Sequence, residues 1–430
     1  MVNKTQVRQG KRFGGLFFWI LLFFFDYYAF PVAWVPGLHL IHPGKLVGLG
    51  VLVALLLNVS SFGDAFLPEV VCMVLLVVQM GLASAFSPVW KGGGINRTLI
   101  FSQVVLMFFA IPLAVRTSER LRKLVFVQTA SIVAIAFVSL ASGALHGGRL
   151  TAALSSSDYS NANDLALAIV LTLPFCFYFL FRAQRPLRKA IWAIALLMMC
   201  LAVFKTASRG GFLALVVAGG VCLWEYGIKG RRMSLVFAAV IAGLVLFAVA
   251  GSKIEDRLAG TFNAQANYES SHGSYEARKD LLIDSLRITA EHPLFGVGVG
   301  DFPAASKMWN QTHNVYTTLS AEAGIPALII FLLIYRRAFS NLREVRRKMP
   351  GSDLSHLAAS MRASLLAFAL AGFFFPDAYD FFPYLMFALT TAAFQVARDQ
   401  SVEIQEPEAA HHPFPSYAYG IAPRPSAPAR

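Results

Sequence analysis

The sequence predicts an all-α polytopic membrane protein with about twelve transmembrane helices and one large extracytoplasmic loop. Three observations carry this: the composition, the recurrence of apolar stretches, and the side on which the basic residues fall. Of 430 residues, 57% are hydrophobic and 14% charged, against roughly 25% charged in soluble domains. Apolar runs close to the ~20 residues that cross a bilayer recur along the chain, broken by short basic or Gly/Pro-rich joints. Val51 to Leu57 and Leu244 to Ala250 are apolar without alternation. A transmembrane β-barrel would instead alternate apolar and polar residues, so helices satisfy the backbone in lipid.

Spans are expected near 13–30, 46–60, 66–87, 99–115, 124–144, 163–181, 190–207, 211–227, 233–251, 315–335, 357–375 and 379–396. Residues 1–251 then hold nine helices, 252–313 the large loop, 314–397 three more helices, and 398–430 a tail. The first run follows a basic start, as in a signal peptide, but no A-x-A-like site follows it, so it is expected to remain as the first span. With the N-terminus inside, 25 of the 37 basic residues fall on cytoplasmic segments and twelve face outward, six of them in the large loop. Long loops escape the positive-inside rule. Both termini are therefore expected to be cytoplasmic, and the net charge of +13 reads as topology beside anionic headgroups. Nucleic acid binding has no support in that distribution.

Cys72, Cys176, Cys200 and Cys222 stand singly inside apolar runs, and neither a disulfide framework nor a thiolate metal site is expected. The tail carries Pro407, Pro413, Pro415, Pro423, Pro425 and Pro428 among alanines and serines, a composition that buries no core and is expected to be disordered. His411 and His412 within it are the one pair there with metal-binding chemistry.

The loop opens with a polar run and then reads as a helix from about Tyr275 to Ala290, closing at His292-Pro293. A Gly-rich stretch, Gly296 to Phe302, precedes His313-Asn314 and the next span. It has the spacing of a dinucleotide fingerprint but lacks the strand and helix alternation such a site needs, so it is read as a turn. At about 100° per residue, the mean direction of Leu281, Leu282, Ile283, Leu286 and Ile288 lies near Arg278, and Arg287 points the opposite way beside Asp284. Helix phase therefore favours Arg278 as the loop arginine that faces the protein.

Polar groups at the outer face of a bundle are costly unless paired or functional. Arg209 lies in Ser208-Arg209-Gly210-Gly211, a hairpin a few residues long between two spans. Its guanidinium, glycines that admit close backbone approach, and free amides at the next helix start together suit a phosphate. The competing reading is an arginine snorkelling to the interface. His313, just before a span, has a side chain suited to general-base work. Asp26, Glu69, Asp164, Glu225 and Glu322 sit mostly near helix ends and form no relay, which counts against a proton-coupled transporter. Zinc-protease, P-loop and nucleophile-elbow motifs do not occur.

As a set, four segments resemble the O-antigen ligase family and the related polymerases and O-linked oligosaccharyltransferases. They are Tyr159-Ser160-Asn161-Ala162-Asn163-Asp164-Leu165-Ala166, Ser208-Arg209-Gly210-Gly211, the Arg278 helix with His292-Pro293-Leu294-Phe295-Gly296-Val297-Gly298, and His313-Asn314-Val315-Tyr316 with Glu322-Ala323-Gly324-Ile325-Pro326. The resemblance spans roughly residues 159–335. It implies about twelve spans in a bacterial inner membrane and a periplasmic loop between the ninth and tenth. It also implies transfer of a glycan from undecaprenyl diphosphate to an acceptor hydroxyl, without metal or nucleotide cofactor. The acceptor is the lipid A-core in ligases, a growing chain in polymerases and a protein hydroxyl in oligosaccharyltransferases.

Carried over by motif, Arg209 and Arg278 would hold the diphosphate and His313 would deprotonate the acceptor, in a displacement that inverts the anomeric centre. Arg287, Asn314, Ser208, Gly210, Glu322, Asn163 and Asp164 are the expected substrate-binding set. The family's second loop arginine does not align uniquely, so the resemblance leaves Arg278 and Arg287 both open. Outside the family, a transporter of glycan or small anion would bind its substrate with the same arginines without chemistry, and a structural component of a polysaccharide assembly would use the polar loop as a docking surface.

Overall fold

Long apolar runs can satisfy their backbone N–H and C=O groups in lipid only within helices, and that is how the chain folds. The computed structural model describes residues 13–65, 67–143, 145–146, 148–152, 159, 161–250, 272–376 and 378–409. Their helices are α1 (Gly14–Ala29), α2 (Pro43–Leu56), α3 (Pro68–Ala85), α4 (Lys91–Ala114), α5 (Ser118–Ser142), α6 (Ala162–Arg182), α7 (Pro186–Thr206), α8 (Arg209–Cys222), α9 (Met233–Ala250), α10 (His272–Glu291), α11 (Phe302–Ala305), α12 (Val315–Lys348), α13 (Asp353–Ala371) and α14 (Phe381–Ala409). A two-residue hairpin, β1 (Leu145–His146) with β2 (Arg149–Leu150), joins α5 towards α6.

Among the described residues nine helices are long and apolar enough to cross a membrane, with Gly14–Ala29 a shorter apolar helix. The Gly-rich loop stretch is a turn, and the loop helix begins at His272, a little ahead of the expected start. α14 continues past residue 398, where the tail was expected to begin, because Arg398 to Glu406 contains neither Gly nor Pro. His411, His412 and the rest of the tail lie outside the described residues, as does the first part of the loop.

α6 is the central helix, with 78% of its apolar window buried by its neighbours. It packs against α7, α8 and α13, while α12 packs against α3, α13 and α14. Outward faces such as Leu49, Leu52, Val53 and Leu56 of α2 remain exposed and apolar, as a lipid-facing surface requires.

The two ends of the bundle are built differently. At the end where α6 and α12 finish, two acids each gather several cations. Asp353 takes Arg182 at 2.7 Å, Arg122 at 3.2 Å and the Tyr178 hydroxyl at 2.8 Å. Glu225 sits on a π-helical turn, Leu223–Ile228, that continues α8. It accepts Arg346 through both oxygens at 2.9 Å and Arg362 at 2.9 Å, with Lys229 at 3.7 Å. At the opposite end, helix starts are capped by polar side chains. Asn161 accepts from the Asn163 amide and Ser208 from the Gly211 amide, while Asn314 accepts from both Tyr316 and Thr317. Each cap satisfies amides that the first helical turn leaves unpaired.

Candidate functional site

The site begins where α7 turns into α8. Ala207 adopts a left-handed conformation (φ 49°) and Ser208 is extended and buried, its hydroxyl accepting from the Gly211 amide at 3.2 Å. That leaves the α8 N-terminus, with Arg209 as its first residue, as the positive end of a helix dipole. Gly210 and Gly211 set how close this end lies to its neighbours. A Cβ on Gly210 would meet Phe374 at 2.9 Å, and one on Gly211 would meet the Ala166 Cβ of α6 at 2.7 Å. Arg209 itself is exposed. Arg149 of β2 braces this corner, donating to the Thr206 carbonyl at 2.9 Å and to the Asn163 Oδ1 at 2.6 Å. Asp164, one residue on, lines a cavity of about 20 Å³ with Tyr159 and Asp380, which is room for a single water.

The loop supplies the second part. α10 buries Leu281, Ser285 and Ile288, one face at helical spacing, and Arg278, itself exposed, lies one turn before Leu281 at the edge of that face. Arg287 lies off it, exposed, and is paired to Asp284 at 3.0 Å and Glu291 at 3.3 Å. Leu282, Ile283 and Leu286, which the sequence grouped with the buried face, remain exposed. Averaging their directions still favoured Arg278, because the buried trio lies on its other flank.

After α10 the chain is stapled into a break in α12. Gly324 leaves the helix at φ 81°, ψ 168°, which frees carbonyls for the loop. The amides of Val297 and Gly298 donate to the Ala321 and Glu322 carbonyls, both at 2.9 Å, and the Ile325 amide donates to Pro293 at 2.8 Å. Gln79 of α3 adds a clamp, donating to the Leu294 carbonyl at 2.7 Å and the Ala323 carbonyl at 2.9 Å. The buried Glu322 carboxylate accepts from the amides of Gly300 at 2.7 Å and Phe302 at 3.3 Å. Ser87 donates to Val297 and to Asp301. Asp301 is held above the usual carboxylate range mainly by burial, opposed by the Ser87 bond, the Trp90 amide and the charge of Arg97. The turn thus holds its shape through side chains from α3, α4 and α12, and His313-Asn314 starts α12 beyond it.

The two parts meet electrostatically. The Arg278 guanidinium is pushed below its ordinary pKa, first by loss of solvent around it and then by the positive charge of Arg209. The His313 imidazole is pushed below its ordinary value by burial and then by the charge of Arg278. Arg278 is thus close enough to feel Arg209 and to act on His313, though the three lie on elements distant in sequence. Among the described residues no carboxylate comes within ion-pair range of Arg209 or Arg278. Two guanidiniums that repel each other, one of them at a helix N-terminus, are chemistry that suits an anion, and an imidazole held below its ordinary pKa can accept a proton at neutral pH.

The other expected residues take supporting positions. Ser208 and Asn314 are caps, Gly210 sets helix spacing, Glu322 fixes the turn, Asn163 holds Arg149, and Arg287 stays at the surface. Gln79, Ser87, Arg97 and Arg149 were not singled out from sequence. Arg97 and Arg149 did carry a signal, as two of the few basic residues on the outward side away from the loop. Among the described residues, no three His, Cys, Asp or Glu side chains come together as a metal site.

The described helices make a bundle with the apolar lengths of a multi-pass membrane protein, and at one end Arg209 acts on Arg278 and Arg278 on His313 through their charges. Residues 194–332 match the family model described as O-Antigen ligase. This match takes in Arg209, Arg278, His313 and the break at Gly324, and it is to the family that the chain's motifs resemble. No curated protein matches the chain.

Proposed function

We propose that this chain is an inner-membrane glycosyltransferase that moves a glycan from undecaprenyl diphosphate to an acceptor hydroxyl at the periplasmic face. The reading includes twelve spans, with α1, α9 and α14 crossing alongside the nine, both termini cytoplasmic, and the α10 loop periplasmic. Of the family's reactions we favour ligation to a lipid A-core. What supports this reading is that Arg209 acts on Arg278 and Arg278 on His313, two cations without an acid partner among the described residues and an imidazole held below its ordinary pKa.

In this mechanism Arg209 and Arg278 bind the donor's diphosphate. The acceptor oxygen forms a bond to the anomeric carbon as the bond from that carbon to the diphosphate oxygen breaks, so the configuration inverts. The acceptor's proton passes to His313, and the charge that grows on the departing diphosphate is taken up by the two guanidiniums. Arg278 depresses the basicity of His313 only while its charge is uncompensated. A bound diphosphate screens it, so the base strengthens when donor is present.

In a deletion strain complemented with Arg209→Ala or His313→Ala, the expected outcome is lipid-linked polymer accumulating over bare lipid A-core, with the variants inserted at normal levels. The loss in rate expected for removing the base is about 10²–10⁴-fold. Normal surface glycan from both variants would reject the assignment. Accumulated single repeat units would reassign the enzyme as a polymerase, and mass loss confined to glycoproteins would make it an oligosaccharyltransferase. Movement of glycan across proteoliposomes with no covalent transfer would favour the transporter reading.

A further inference from the structure

A cleft of about 940 Å³ lies at the opposite end of the bundle from Arg209, between α5, α6 and α7, at the upper end of the roughly 300–1,000 Å³ of ligand pockets. Its mouth carries Arg122, Arg182 and Arg188, and its walls are apolar. Phe126, Phe179 and Trp192 form a continuous aromatic wall just inside the mouth, with Phe179 and Trp192 stacked at 4.9 Å and Phe126 edge-on to both. Farther in, Phe137 and Met198 mark its inner end, and Phe137 is 55% exposed. The cleft is therefore open along its side as well as at its mouth.

Two quantities say what fits. Along α5 the cleft runs from Arg122 to Phe137, roughly 22 Å at the helical rise, and along α7 from Arg188 to Met198, about 15 Å. One leaflet's hydrocarbon is about 15 Å thick, half of the bilayer core. The mouth holds three guanidiniums and one carboxylate: Asp353 is shared by Arg122 and Arg182, while Arg188 has no acid partner among the described residues and is exposed. A net charge of about +2 sits at headgroup depth above an apolar slot one leaflet long, as in basic pockets between helices that take anionic headgroups.

We propose that this cleft binds one anionic phospholipid, its phosphate on Arg188 and Arg182 and an acyl chain along Phe126, Trp192 and Phe137. On the orientation proposed above, the lipid belongs to the cytoplasmic leaflet, so the site is separate from the glycan site by the depth of the membrane. The binding claim itself does not depend on that orientation.

The test uses the full chain in nanodiscs of equal phosphatidylglycerol and phosphatidylcholine, transferred to detergent, with retained lipid counted by native mass spectrometry. One phosphatidylglycerol per chain is expected, preferred over phosphatidylcholine. Arg188→Gln, at an exposed position, is expected to cut that preference about five-fold, the effect of one basic side chain at a headgroup. Ala134→Phe, which fills the slot, is expected to abolish retention without touching the charge. Equal retention of both lipids, or unchanged preference in Arg188→Gln, would overturn the proposal. So would displacement of the lipid by millimolar glycerol phosphate, which would mark a site for free phosphate. Crosslinking of Phe137→Cys to a second chain without lipid selectivity would turn the cleft into a self-association face.

Discussion

At the residue scale, the site depends on how one positive charge is felt by its neighbours. His313 lies below its ordinary pKa of 6.5 through burial first and Arg278 second. The base form exists above that depressed pKa, so activity should be lost as pH falls through a value below 6.5 and stay flat through neutrality. Arg278→Gln removes the second cause and leaves the first, so the imidazole's titration should move upward, towards the ordinary value, without passing it. NMR titration of the His313 ring proton, assigned against His313→Gln, measures this directly. Adding pyrophosphate to the unsubstituted protein should move the titration the same way by screening the same charge. A midpoint indifferent to both changes would mean that Arg278 does not reach His313 in solution. Helix phase alone separates Arg278 from Arg287, and the surface pairing of Arg287 with Asp284 follows from an i,i+3 spacing visible in the sequence. That Arg278 and Arg209 act together was expected only from the resemblance, which sets both on one diphosphate, because nothing local in either segment encodes it.

At the scale of elements, the decisive feature is the broken helix α12 and the turn laid into it. The Gly324-Ile325-Pro326 sequence marks the break, since Gly324 takes φ 81° and Pro326 lacks an amide to continue the ladder. The partners of the freed carbonyls were less visible. Gln79 and Ser87 are ordinary polar residues near the end of an apolar helix, and only the tertiary fold brings them to a turn more than two hundred residues later. Gly296 shows how tightly this joint is fitted: its φ is 64°, and a Cβ there would lie 2.5 Å from the Ala321 carbonyl oxygen and 2.6 Å from that of Glu322. Backbone atoms cannot swing aside as a flexible side chain would. Gly296→Ala should therefore cost about 1–3 kcal/mol by overpacking, concentrated locally. Hydrogen exchange should rise at the Val297 and Gly298 amides, which bond to α12, and transfer activity should fall although Arg209, Arg278 and His313 are all present. Protection and activity both equal to the parent would show that the turn does not position the site.

At the scale of the whole molecule, the bundle divides its charges between two jobs. At the Arg209 end, Arg209 and Arg278 have no acid partner among the described residues and repel each other, which weakens the fold locally and, on the proposed mechanism, suits a diphosphate. The far end does the reverse, with Glu225 and Asp353 each shared among several cations. The sequence made the division half visible. The excess of basic residues on one side was plain, whereas the π-helical turn that brings Glu225 to Arg346 and Arg362 left no mark in composition or periodicity. The division predicts opposite consequences for two substitutions. Glu225→Gln removes the only carboxylate that Arg346 and Arg362 pair with among the described residues, and the side chain it changes is only 7% exposed. Breaking a buried pair by deleting one partner costs about 3–5 kcal/mol. Arg362 and Lys229 are partly exposed and recover some hydration, so the lower end of that range is expected. Thermal unfolding in nanodiscs should show a clear loss of stability, while transfer per folded molecule stays at the parent level because the site lies at the other end. Arg209→Ala should do the opposite: activity collapses while unfolding is unchanged or shifts upward, since the repulsion with Arg278 is relieved. If Glu225→Gln instead lowered turnover per folded molecule, the two ends would be coupled through α8 and α12, the helices that carry Arg209 and the Gly324 break at one end and Glu225 and Arg346 at the other.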